Sequence, residues 1–212
     1  MQINTLINQA ALALNDLSFT RWTQDELLGY LNKAVVVLIG YRPDASTVNK
    51  RFTCVADTMQ TFSADELRLI DVVRNVETGE PIKYMDKNTI DTIIPRWHNE
   101  AMEDDVEFYM YDDRIPKTFY LYPYPPAGHE IDLVFSVLPP PIVVDDWNTN
   151  NVALPLDDIY QVALAHYILY QAYGKDTAVG NIQKSMLELQ AFASVLNVKL
   201  KMDIAASPES NQ

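Results

Sequence analysis

The 212-residue chain has one cysteine, six glycines, three histidines and no long hydrophobic run. A single thiol, Cys54, excludes an intrachain disulfide framework and any zinc site built on a cysteine pair. The longest apolar stretch, AVVVLIG from Ala34 to Gly40, falls far short of the roughly 20 residues that a bilayer-spanning helix needs. The opening segment MQINTLINQAALALND lacks a basic start and is interrupted by polar residues. No leader and no membrane anchor are therefore expected, and the chain reads as made in the cytoplasm. Positive charge is scarce as well: 16 Lys and Arg face 29 Asp and Glu, a net charge of −13. Such a surface repels phosphate backbones, which argues against a protein that grips nucleic acid. It remains compatible with DNA that passes by without adhering.

Signatures of catalysis are missing too. The chain contains no HExxH, no G-x-S-x-G, no Walker loop and no dinucleotide fingerprint; VETGEP carries a lone turn glycine. His98, in RWHNEAMEDD, has Glu100, Glu103, Asp104 and Asp105 nearby. That run lacks the alternating ligands and central glycine of a calcium loop, so a solvated acidic loop is the simpler reading. His166, beside Tyr167 and Tyr170 in a helical pattern, reads as a packed or interface histidine, and His129 stands in the turn PYPPAGHE. Carboxylate pairs are abundant in any acidic chain, so an acid–base hydrolase built on residues 100–113 rests on nothing specific. The residues name no catalytic, cofactor-binding or metal site, and no cofactor is implied.

What is present is patterning. Ile3, Leu6, Ile7, Ala10 and Leu14 recur at helical spacing. In RWTQDELLGYLNKA, Thr23 and Glu26 form a capping box, and Trp22 stands opposite Leu27 as a hydrophobic staple. Leu27, Leu28, Leu31, Ala34, Val35 and Leu38 continue that helix, which Gly40 and YRPDA are expected to end. Between about 50 and 146 the pattern changes to short β-branched or aromatic runs: RFTCV, LIDVVRNV, PIKYM, VEFYMYDD, KTFYLYP and EIDLVFSVL. The two aromatic runs around DDRIPK predict an antiparallel hairpin. Short helices are predicted at SADEL, through a second capping box of Ser63 and Glu66, and at DKNTIDTII before Pro95.

After PPP at 139–141 and DDWNTNN, LPLDDIYQVALAHYILYQAYG predicts a helix begun by Pro155 and two aspartates. Ile159, Val162, Ala163, His166, Tyr167 and Tyr170 are its predicted apolar face. A last long helix follows Gly174, with Ile182, Met186, Leu189, Phe192, Ala193 and Leu196 as its stripe. The fold class is therefore α+β: a helical bundle from N- and C-terminal helix pairs, with an antiparallel β-rich region inserted. The expected boundaries are 1–49 and 152–202 for the helical bundle, 50–151 for the β-rich region and 203–212 for a flexible polar tail. The aromatic hairpin at 106–124 admits another reading, a monomeric carbohydrate- or protein-binding module with several tyrosines exposed on one face.

RWTQDELLGYLNKA, then YRPDA, then LIDVVRN, then LPLDDIYQVALAHYILYQAY together resemble the head-to-tail adaptor proteins of short-tailed bacteriophages. The likeness runs from Arg21 to about Leu200 and is carried by the order and spacing of the segments. It implies a non-enzymatic virion protein, made in the host cytoplasm, in a homo-oligomeric ring of twelve subunits. Its partners would be the portal protein above and the tail nozzle or tail fibre proteins below, with DNA passing through the channel during ejection. The resemblance also implies that the C-terminal segment engages the portal, which here maps onto Lys199, Lys201, Met202, Asp203, Ile204 and Pro208.

Overall fold

The computed structural model describes residues 2–100, 102–148, 152–175 and 179–206, including their side chains except those of 179–180 and 198–206. The chain is α+β and divides into two compact units, Met1–Ala45 with Pro139–Gln212, and Ser46–Leu138.

The first unit is helical. Helices α1 (Ile3–Leu14), α2 (Gln24–Tyr41), α4 (Gln161–Gly174) and α5 (Val179–Ala206) share one apolar core. The expected α1 face, Ile3, Leu6, Ile7, Ala10 and Leu14, is buried throughout. At the start of α2 the Thr23 side chain accepts from the Glu26 amide, as predicted, but the other half of the capping box is redirected. Glu26 instead takes the Tyr30 hydroxyl at 2.7 Å and the Lys175 ammonium at 2.8 Å, because a cation is a stronger partner than an amide. Gly40 does not end the helix. It lies within α2, which runs to Tyr41 and stops where Pro43 cannot continue it. Arg42, almost fully buried, closes that end by a bidentate bond to Asp44 across the proline, at 2.9 and 2.5 Å.

The face of α4 is rotated from the expected one. Ala163, Leu164, Tyr167, Ile168 and Ala172 are buried, whereas Ile159 and Val162 remain 55% and 54% exposed. Its start is set by Asp157, whose carboxylate accepts from the Ile159 amide and opens a 3-10 turn, Asp158–Tyr160, ahead of the α-helix; Pro155 lies upstream. In α5, Phe192 and Leu196 reach the core, but Ile182 and Met186 stay 50% and 54% exposed. The helix continues through Asp203 to Ala206.

The second unit holds two sheets. One has the order β1-β7-β3 (Thr47–Thr53, Glu130–Val137, Glu66–Asn75). The other has the order β2-β6-β5-β4 (Met59–Thr61, Thr118–Tyr122, Phe108–Tyr111, Lys83–Tyr84). The predicted hairpin is β5–β6, paired antiparallel from Phe108↔Tyr122 to Tyr111↔Phe119. One pairing departs from the all-antiparallel expectation: β4 runs parallel to β5. The sheets meet over Leu69, Val72, Ile131, Leu133 and Phe135 on one side and Tyr109, Phe119 and Leu121 on the other. Strand β3 slips register against β7 three times, so Leu69, Val72 and Asn75 face inward at every third residue.

The helix expected at SADEL does not form. Ser63 to Asp65 make a turn and Glu66 opens β3. The Glu66 carboxylate still accepts from the Ser63 amide at 2.9 Å, yet it is buried against Lys50 Nζ at 2.8 Å. The β-branched run that follows then decides for strand. The helix expected at DKNTIDTII is α3, Lys87–Ile93, capped by Asp86.

Candidate assembly surfaces

The helical unit is organised around α4. Helices α1, α2 and α5 each pack on it, and α5 lies against α4 antiparallel. Two polar contacts set that register: His166 Nδ1 with a Glu188 carboxylate oxygen at 2.6 Å, and Ser185 Oγ donating to the Tyr170 carbonyl at 2.9 Å. The beginning of α2 is tied to the end of α4. Trp22 Nε1 donates to the Ala172 carbonyl at 3.1 Å, and Lys175 Nζ bridges Glu26 and the Arg21 carbonyl. Against a burial that would raise it, the hydrogen bonds from Lys175 and Tyr30 hold the Glu26 carboxyl below its ordinary value. Burial, and then the Glu26 carboxylate, push the Tyr30 phenol well above its ordinary value.

This arrangement leaves a groove over α4. One wall is α2, through Tyr30, Lys33, Val37 and Tyr41, and the other is α5, through Ile182, Met186, Leu189 and Ala193. The groove widens into clefts of about 430 Å³ and 520 Å³, with Tyr170 common to both. The α2 wall residues recur every three or four positions and rise about 17 Å, three turns of helix. A second apolar exposure lies at the start of α4, where Ile159 and Val162 stand behind Asp157 and Asp158.

In the β unit, the aromatic hairpin does not expose its tyrosines. Tyr109, Phe119 and Leu121 enter the core between the sheets. Met110, Phe108, Tyr120 and Tyr122 are covered on the opposite face by Ile90 and Trp97. Trp97 stacks on His98, whose Nδ1 lies 2.8 Å from Thr58 Oγ1. No aromatic side chain between 106 and 124 is exposed, so the stacking platform that a carbohydrate module needs is not there. The several exposed tyrosines that the binding-module reading of 106–124 expects are instead half-buried, as Tyr111, Tyr120, Tyr122 and Tyr124, and Tyr109, Tyr111 and Tyr120 line a cleft of about 590 Å³ with Tyr84.

The carboxylates of 100–113 are dispersed into local contacts. Glu100 accepts from the Tyr122 hydroxyl, Asp105 from Thr78, and Asp113 pairs with Arg68. Bonding to Glu100, and then burial, push the Tyr122 phenol up to about 12. Side-chain and backbone bonds from Arg114 hold Asp112 at about 2. Among the described residues, no group of three or more His, Cys, Asp or Glu could hold a metal ion, and no helix is long and apolar enough to cross a membrane. Cys54 is buried, and that burial pushes its thiol up to about 12, far from a reactive thiolate.

Of the residues expected to meet the portal, Lys199, Lys201, Met202, Asp203 and Ile204 belong to the last turns of α5, where only the backbone is described. Pro208 lies outside the described residues. Two buried polar clamps escaped the sequence reading. Asn75 binds both backbone groups of Val106, with Nδ2 donating at 2.8 Å and Oδ1 accepting at 3.0 Å. Gln60 holds the 55–57 loop by three bonds to Val55 and Asp57. The only signal for either was a polar residue inside a β-type run.

No curated protein matches the chain. A family model described as SU10 adaptor protein matches residues 1–211. That match takes in both units and every segment on which the sequence resemblance rested, and the chain belongs to the SU10 adaptor protein family.

Proposed function

We propose that this phage adaptor protein is a structural subunit of the head-to-tail junction, forming a twelve-membered ring between the portal and the tail nozzle. DNA leaves through its channel. Membership of the adaptor family over residues 1–211 is the observation that carries this reading. Its chemistry agrees: the net charge of −13 suits the wall of a conduit from which DNA must not adhere. The exposed apolar residues of α4 and α5 suit lateral contacts between subunits. The role is assembly rather than catalysis, and the β-rich unit would project toward the tail.

The portal contact is assigned to the end of α5 and the residues after it, Lys199, Lys201, Met202, Asp203, Ile204 and Pro208. Cryo-electron microscopy of the protein mixed with its phage's portal protein should show a ring on the portal; a compact monomer that ignores the portal would refute the reading. Deleting residues 203–212, which include the last helical residues of α5, should preserve the fold but weaken portal attachment. Unchanged portal affinity would move the docking role elsewhere.

A further inference from the structure

The apolar stripe of α5 is wider than the core of the helical unit covers. Phe192 and Leu196 are spent on the core, while Ile182 and Met186 remain half exposed along the groove beside α2. At the start of α4, Val162 and, in the 3-10 turn ahead of it, Ile159 are left exposed in the same way. The helical unit therefore carries two unlike apolar patches, one at each end of α4. Their charges are opposite. Lys33 and Lys175 line the Tyr30 end of the groove, and Asp157 and Asp158 precede Ile159. Lys33 leans on the Tyr30 ring, 5.7 Å from its centroid, which leaves its charge available to an incoming carboxylate.

Two different, complementary patches on one chain allow a head-to-tail contact, which closes into a ring where the rotation permits. We propose that the α2–α5 groove receives the Asp157–Val162 corner and first turn of α4 from a second copy of this chain. Ile159 and Val162 would then meet Ile182 and Met186, and the acidic turn ahead of them would face Lys33, since Lys175 is already paired with Glu26. This rests on the ring reading and names its lateral contact. Repeated around the ring, the contact buries on every subunit both stripes that the isolated chain leaves open.

A cysteine pair tests it. Cys54 is buried, so introduced thiols are the reactive ones. The antiparallel register puts Ile182 toward the end of α4 and Val162 at its start, too far apart for a bond within one chain. The full chain carrying Ile182→Cys and Val162→Cys, mixed with portal protein and mildly oxidised, should give a ladder of covalent multimers. Either single variant should give none. Dimers from Ile182→Cys alone would mean two-fold pairing through the groove and would overturn the proposal. Met186→Asp, at an exposed position, should leave the circular dichroism unchanged and weaken ring assembly at least tenfold. Rings that form normally, with no ladder and no effect of Met186→Asp, would overturn this contact while leaving the ring reading intact. A wild-type chain that forms no ring with the portal would overturn both.

Discussion

Asn75 offers the sharpest test of what holds the β unit together. Its side chain is fully buried and bonds both the amide and the carbonyl of Val106, itself buried. The same Oδ1 lies 2.9 Å from His129 Nε2, so three segments of the chain converge on one amide. In Asn75→Ala, two backbone groups lose their partners inside the protein. Each stranded group costs about 1–2 kcal/mol when a neighbouring loop can partly relax, so the loss is about 2–4 kcal/mol. At about 1.4 kcal/mol per decade this predicts roughly 30- to 1000-fold faster native-state hydrogen exchange in peptides covering β7 and residues 104–107. Asn75→Asp keeps the shape and the acceptor but aims a second oxygen at the Val106 carbonyl. At pH 7 it should be at least as damaging as alanine. Burial beside a carbonyl raises the folded-state pKa of the new carboxyl above its unfolded value, so the protonated form is the one that folding favours. The penalty should therefore shrink as pH falls through that raised value, because the acid can then donate. Exchange within threefold of wild type for Asn75→Ala would refute the clamp as a source of stability.

Other expectations follow from the same contacts. Thr23→Ala removes the side-chain acceptor for the Glu26 amide and should lower stability by about 1 kcal/mol, read by denaturant unfolding; no change would remove the cap from the account of α2. Phe135→Ala empties a fully buried site against Phe62 and should cost about 3–5 kcal/mol, with the melting temperature as readout. Glu26 has a folded-state pKa below its unfolded value of 4.5, so its contribution is full above that value and is lost as pH falls through the lowered one. Glu26→Gln should therefore flatten the acid limb of stability against pH; an unchanged limb would mean that the Lys175 and Tyr30 contacts carry nothing.

Legibility in the sequence followed locality. Helix α1 and the start of α2 were readable because caps, staples and 3.6-residue stripes involve residues only a few positions apart. The β5–β6 hairpin was readable for the same reason, as two aromatic runs around a short turn. What failed depended on distant partners. SADEL satisfied the rule for a helix start, but Lys50 claimed Glu66 and the following β-branched run took the backbone into a strand. The three register slips of β3 gave an inward residue at every third position, a spacing that mimics neither strand nor helix. In the aromatic hairpin the cover over the second face was not legible, because α3 and Trp97, which supply it, contribute through tertiary packing alone.

The segments that marked the family share a physical property: each contains a joint. Trp22 and Glu26 fasten α2 to the end of α4, Arg42 closes the end of α2 through Asp44, and Asn75 ends LIDVVRN by clamping Val106. Joints constrain residue identity at fixed spacing, since a bidentate arginine or a doubly bonded amide has no isostere of other chemistry. Surfaces for assembly leave a different mark. An interface stripe needs only to be apolar, so under the proposed contact it would merge with the core stripe, as the expected faces, which held Ile159, Val162, Ile182 and Met186, do here. The four residues that the monomer leaves exposed are the excess of that pattern over what the fold uses, and the proposed ring contact is what would cover them.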